Sequence, residues 1–395
     1  MNPTLKQLSD QLLADTVGRA GGAPGVIAMA TDRDHNCYSG AAGLRELGKA
    51  APMTTDTVVF LASCTKAITG VAVMQLVEEG LLSLSDPAHK YLPQLAEMRV
   101  LEGFDSQGEP RLRKPKSDIT IAQLMLHTAG FAYGFFNPDL QRYREQRGIP
   151  PLLSATYAGL FDVLVHDPGE RWTYGANIEY LGLIVEKLRG KRLGEVMKER
   201  IFTPLAMADT AFTMTPDMRA RLASIHLRAP DGQLSAAPEM VLPQPPELEL
   251  GGAALYGSVG DYMQFIRMVL NDGHGPHGRV LRAETVAQMA CNGLGALKSG
   301  GWVSANPAYA NSGEFFPGVS KSWSYTFQVI DEDAPTGRPA GALSWAGLAN
   351  TFFWIDRQHG IGGMWATQIL PFQDIASYPA YLEFETLVYR ATKLA

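Results

Sequence analysis

The chain has 395 residues, 46% hydrophobic and 19% charged, which is enough apolar material for one large core or two subdomains of a soluble globular protein. A formal net charge of -6 argues against nucleic acid or an anionic membrane surface as the main partner, and no apolar run is long enough to span a bilayer. Three widely spaced cysteines, Cys37, Cys64 and Cys291, offer neither a disulfide framework nor metal-ligand spacing, and residues 1–20 lack a basic start followed by an apolar stretch, so a cytoplasmic protein is expected.

In chain order, apolar residues at helical intervals over 5–17 predict a helix ended by Gly18; 25–30 and 37–43 read as strands joined by a polar turn. The stretch 67–77 carries Ile68, Val71, Val73, Met74, Leu76 and Val77 round most of its circumference, and a helix apolar on most faces is a buried one. Asp86-Pro87 and Leu92-Pro93 are turn signals. The segment 99–117 is polar, and its basic cluster over 111–116 is expected to be a solvated loop. A short helix over 119–127 is stopped by Gly130, and the aromatic residues Phe131, Tyr133, Phe135 and Phe136 follow. Helical spacing returns over 152–164, 178–188 and 193–201, then proline and turn residues over 234–252 predict a long surface loop. Helices over 262–270 and 283–289 precede a change of character at Ser322: 323–330, 342–345, 351–355 and 362–369 are short β-rich runs, and a last helix covers 378–392. Strands at both ends with helices between imply an α/β subdomain built from 1–90 and 270–395, and a mainly helical subdomain over 91–269.

The chemistry centres on Phe60-Leu61-Ala62-Ser63-Cys64-Thr65-Lys66. A serine and a lysine three apart share a helix face, and at a helix start the free N–H groups and positive dipole end favour an anion. A serine hydroxyl becomes a good nucleophile when a base takes its proton, and a lysine serves where burial or a cationic neighbour favours its neutral amine. The rival reading makes Ser63 a helix cap and lets Lys66 reach water. In the turn 168–174, Tyr174 either faces a cleft as a base beside a lysine cation or packs its ring at a helix start. Tyr309-Ala310-Asn311 ranks lower, because it lies in a loop-like stretch with no helix behind it. Ser344-Trp345-Ala346-Gly347-Leu348 is a small-residue break in a strand, where a backbone N–H can approach a substrate oxygen; alone it reads as a β-bulge.

Other motifs fall away. There is no Gly-x-Ser-x-Gly elbow and no His-Glu-x-x-His or paired-cysteine site, so neither metal nor cofactor is expected. Gly43 to Lys49 has phosphate-loop spacing, but Ala50 replaces the Ser or Thr that would hold magnesium. His127 reads as a structural residue hydrogen-bonded at a helix end.

Ser63-x-x-Lys66, the Tyr174 segment and Trp345-Ala346-Gly347, in this order, resemble the class C β-lactamase-like serine hydrolases, and within them the family VIII carboxylesterases and the related fungal lovastatin acyltransferase. The likeness covers nearly the whole chain and extends to Leu101-Glu102-Gly103-Phe104-Asp105, Leu126-His127-Thr128-Ala129-Gly130 and Tyr174-Gly175-Ala176-Asn177. It implies a β-lactamase-like α/β fold, a mainly antiparallel sheet flanked by helices with an inserted α-helical subdomain, and an active site in the cleft between the two. It also implies an acyl-enzyme on Ser63, proton transfers shared by Lys66 and Tyr174, and an oxyanion held by the backbone N–H groups of Ser63 and Leu348.

Two departures stand out. Trp345 replaces the lysine of the β-lactamase Lys-Thr-Gly, so weak action on β-lactams is expected, and Asn177 falls one place late for a Tyr-x-Asn motif. The leading expectation is a serine carboxylesterase acting on small or medium acyl esters. The alternatives are an acyltransferase that passes the group to an alcohol and a non-catalytic binding or sensing protein on the same fold. Trp345, Gly347, Phe131 and Tyr133 are expected to touch substrate; whether the wider aromatic set, with Phe135, Phe136, Phe315, Phe316 and Trp323, lines a pocket or fills the core stays open.

Overall fold

The computed structural model describes residues 3–393. Its main sheet has seven strands in the order Lys321–Trp323, Gln328–Ile330, Leu343–Gly347, Thr351–Asp356, Ile361–Ala366, Gly25–Thr31, Asn36–Gly43, and every neighbouring pair is antiparallel. The two ends of the chain meet inside it, Ile27 opposite Ala366 and Thr31 opposite Gly362. Strand alternation sends successive side chains to opposite faces. Phe352 and Trp354 therefore pack on Tyr381 and Phe384 of the last helix, Ser377–Lys393, whereas Phe353 packs on Tyr262 of the helix Val259–Leu270. With both faces covered, these strands are buried along their whole length. This is the α/β arrangement expected, an antiparallel sheet flanked by helices with a helical segment inserted between its early and late strands.

Thr65–Glu78 is the central helix. Every residue from Thr65 to Leu76 is buried, as its all-round apolar pattern predicts, and it packs against the helix Asn177–Arg189 of the inserted segment.

The inserted segment departs from expectation in several places. Residues 99–117 contain a hairpin, Val100–Phe104 with Pro110–Arg113, and its basic cluster is partly engaged: Arg113 Nη1 and Nη2 donate to Asp167 at 2.7 and 2.9 Å. The helix expected over 152–164 is instead two 3-10 turns, Leu152–Ser154 and Tyr157–Gly159; between them Ala155 has φ 53°, a left-handed conformation that stops a right-handed helix. A helix that the apolar pattern passed over lies earlier, at Pro138–Arg147, capped by the Asn137 side chain and closed by Gly148 at φ 62°; Leu140 is its one buried residue, so it has no apolar stripe to find. The helix over 193–201 divides into Leu193–Met197 and a π turn, Lys198–Phe202. The surface loop expected over 234–252 holds a short strand, Leu234–Ala237, and its last residues turn inward: Leu248, Leu250, Gly251 and Gly252 are buried.

Candidate active site

Ser63 lies on a 3-10 turn, Ala62–Cys64, that runs directly into Thr65–Glu78. Ala62 has φ 44°, a region that a residue with a Cβ seldom takes, and such strain tends to collect at functional turns. The capping alternative fails on both counts. Neither the turn nor the helix receives a side-chain cap, and Lys66 is 0% exposed.

Lys66 Nζ donates to Ser63 Oγ at 3.1 Å, to the Tyr133 hydroxyl at 2.9 Å and to the Gly252 carbonyl at 2.7 Å. Tyr133 passes the chain on, donating to Glu179 Oε1 at 3.2 Å. Burial pushes the Glu179 carboxyl above the usual carboxylate range, against the pull of Lys66; burial and the Glu179 charge hold the Tyr133 phenol well above its ordinary value. The Gly252 carbonyl is brought in by a short buried link. One turn after Lys66, Thr69 Oγ1 donates to the Gly251 carbonyl, and a Cβ on Gly251 would lie 3.0 Å from the Ile178 carbonyl and 3.2 Å from Thr69 Cγ2. A side chain here would make the neighbouring helices give by a few tenths of an ångström, so glycine suits the close passage of the backbone between them.

Tyr174 faces the same cavity. Its ring lies 4.9 Å from Lys66 Nζ, and its hydroxyl accepts the indole N–H of Trp345 at 3.0 Å. Gly347, at the end of the strand carrying Trp345, comes close to the nucleophile turn: a Cβ there would lie 2.4 Å from the Leu61 carbonyl. Leu348, the next residue, lines the cavity with Ser63.

The cavity measures about 500 Å³. Phe131, Tyr133, Phe135, Phe136, Trp302 and Trp345 are its aromatic walls, and an Arg144–Asp162 ion pair contributes a polar patch. The remaining aromatics, Phe315, Phe316 and Trp323, belong to the core behind it; Trp323 meets Trp345 edge-on at 4.5 Å. His127 is buried, with burial and the Lys66 charge holding it well below the ordinary histidine range. Its Nδ1 accepts Asn177 Nδ2 at 2.9 Å, so that asparagine is turned into the protein. Tyr309 reaches the cavity, while Asn311 Nδ2 is spent on the Gln373 carbonyl.

The residues expected to act thus converge: Ser63, Lys66, Tyr174, Trp345, Gly347, Leu348, Phe131 and Tyr133 gather around one cavity floor and wall. Sequence reasoning missed Glu179 and Gly252. The signal for Glu179 was a lone carboxylate in the otherwise apolar run 178–185.

A serine hydroxyl at a cavity wall, with a fully buried lysine nitrogen 3.1 Å behind it, suits covalent acyl transfer. On this antiparallel sheet flanked by helices the two define an enzyme of the serine hydrolase and acyltransferase type, on the β-lactamase-like fold. The chain belongs to the beta-lactamase family, whose sequence pattern matches residues 5–387. It is 31% identical over 385 residues to a monacolin J acid methylbutanoyltransferase of Aspergillus terreus, covering 93% of this chain and 91% of the relative. It is 32% identical over 374 residues to a lovastatin esterase of Penicillium rubens, covering 88% and 89%. A mutant of the simvastatin synthase from Aspergillus terreus superimposes with a TM-score of 0.84 at 28% identity, over 100% of this chain and 96% of that one. No helix among the described residues is long and apolar enough to cross a membrane.

Proposed function

We propose that this chain is an acyltransferase in which Ser63 takes an acyl group from an ester donor and an alcohol acceptor then removes it. Ser63 Oγ attacks the donor carbonyl carbon as its proton passes to Lys66, and the bond to the leaving oxygen breaks as that oxygen gains a proton through Tyr174. In the second half the acceptor hydroxyl loses its proton to the same groups, attacks the acyl carbon and frees Ser63. The backbone N–H groups of Ser63 and Leu348 would receive the oxyanion, with Trp345, Gly347, Phe131 and Tyr133 against the substrate.

The observation that carries this reading is Lys66 Nζ, fully buried, 3.1 Å from Ser63 Oγ beneath the aromatic cavity. A cavity of about 500 Å³ is of a size to receive a bulky alcohol beside an acyl chain, and apolar walls disfavour water as the acceptor. The methylbutanoyltransferase relatives support the same choice. Hydrolysis of small or medium acyl esters is the second reading, favoured by the lovastatin esterase. Trp345 offers no cation to a β-lactam carboxylate, in keeping with weak action on β-lactams. Cys37, Cys64 and Cys291 are unpaired thiols, which supports a cytoplasmic setting.

The test is p-nitrophenyl butyrate with wild type and Ser63→Ala, read by turnover and intact mass, then repeated with a competing alcohol. Turnover and a butyryl adduct are expected in wild type and lost in Ser63→Ala, with the new ester exceeding free butyrate. Butyrate in excess at every alcohol concentration makes hydrolysis the function, and activity surviving in Ser63→Ala overturns both readings.

A further inference from the structure

We propose that Glu179 is a positioning residue for the activation of Ser63: through the Tyr133 hydroxyl it draws one proton from Lys66 and leaves a neutral amine facing Ser63 Oγ. The inference rests on the acyl-transfer reading above.

Lys66 Nζ has three acceptors, Ser63 Oγ, the Tyr133 hydroxyl and the Gly252 carbonyl, which match the three N–H groups of an ammonium. A lysine in that state donates to the serine and cannot take its proton. It has to release a proton first, and at 0% exposure it has no direct contact with water. Of its three acceptors, the amide carbonyl is far too weak a base and Ser63 is the reactant. Tyr133 remains, and it already donates to Glu179.

Two shifts in the same direction complete the step. One Lys66 N–H breaks as an O–H forms on Tyr133, and the original Tyr133 O–H breaks as one forms on Glu179 Oε1. Tyrosine ends as it began, and a buried ammonium and carboxylate become a neutral amine and a neutral acid. Burial favours the uncharged pair.

The carboxylate is built in for this. Glu179 is 1% exposed and its Oε2 is buried without a hydrogen-bond partner. It lies flush on the backbone that meets Lys66, since a Cβ on Gly252 would fall 2.5 Å from each of its oxygens. The charged and titratable groups around it are Lys66 from the central helix, Tyr133 from the aromatic segment with Tyr174 edge-on to it, and Tyr180 on its own helix.

The experiment follows Ser63 acylation and kcat/KM with p-nitrophenyl butyrate between about pH 6 and 9 in wild type, Glu179→Gln, Tyr133→Phe and the double variant. Wild type is expected to be flat around neutral pH, because the proton moves within the site. In each single variant Lys66 must discharge to solvent, so acylation falls about a hundredfold near pH 7 and climbs about tenfold per pH unit, and the double variant is no slower than the singles. A flat profile in Glu179→Gln, however slow, gives Glu179 a packing role alone and overturns the proposal; so does additivity in the double variant. Should Glu179→Gln fail to fold, the slope in Tyr133→Phe decides in the same way. A wild type without a Ser63 adduct sinks the acyl-transfer reading and this inference with it, whereas an adduct with flat variant profiles sinks this inference alone.

Discussion

Trp345 Nε1 donates to the Tyr174 hydroxyl at 3.0 Å, and the two rings meet edge to face with centroids 4.8 Å apart. The indole thus fixes both the phenol oxygen and the tilt of the ring beside Lys66. A phenyl group would keep most of the packing and lose the donor. Trp345→Phe is therefore expected to lower kcat by roughly three- to tenfold, the weight of one neutral hydrogen bond of about 0.5–1.5 kcal/mol, with a smaller effect on KM. Steady-state kinetics with p-nitrophenyl butyrate check this, and an unchanged kcat removes the bond from the chemistry. The same residue marks what a sequence can carry. Ser63 and Lys66 are legible because three positions on a helix are always neighbours. Trp345 is legible as a lysine lost, but its bond reaches back 171 positions, and the Lys66–Tyr133 and Tyr133–Glu179 bonds span 67 and 46. No local period encodes contacts of that length, so Tyr133 reads from sequence as a pocket wall and Glu179 goes unnoticed.

At the scale of elements, the site is made where the strand Leu343–Gly347 is pressed against the turn Ala62–Cys64. The approach depends on a missing side chain: a Cβ on Gly347 would lie 2.4 Å from the Leu61 carbonyl and 3.3 Å from Ala62 Cβ. Backbone on both sides cannot give way cheaply, so Gly347→Ala should push the strand outward and move the Leu348 N–H away from the position proposed for the oxyanion. The expected loss is about a hundredfold in acylation, the scale of one lost oxyanion donor, with the fold retained by circular dichroism. Wild-type rates in this variant would mean the strand end does not serve the oxyanion. Burial explains why the strands and the central helix were legible while 152–164 was not. Leu152, Leu153 and Leu160 are apolar because they line the cavity, so their spacing follows its wall and imitates a helix. Pro138–Arg147 shows the converse, a helix held by caps with one buried residue and so no stripe to read.

For the molecule as a whole, the helix Val259–Leu270 ties the small sheet of Val58–Phe60, Tyr256–Ser258 and Thr210–Ala211 to the main-sheet strands Gly25–Thr31 and Ile361–Ala366. At its start Ser258 Oγ accepts the Asp261 N–H at 3.1 Å, and Asp261 Oδ2 accepts both Asp209 N–H and Thr210 Oγ1–H at 2.8 Å. Burial outweighs these bonds and pushes the carboxyl from its ordinary 3.8 up to about 6. A carboxyl raised on folding binds its proton more tightly in the folded chain. Its contribution is therefore fully present below the unfolded value and is lost as pH rises through about 6. Asp261→Asn keeps an acceptor and removes the titration. Urea unfolding of both proteins at pH 4 and 7 should show the variant gaining on wild type by about 2 kcal/mol at the higher pH. A stability difference that stays constant across that range would mean the helix start holds an ordinary aspartate. The window also lies below the neutral region in which loss of Glu179 or Tyr133 is expected to steepen the acylation profile, so unfolding and catalysis can be followed separately by pH.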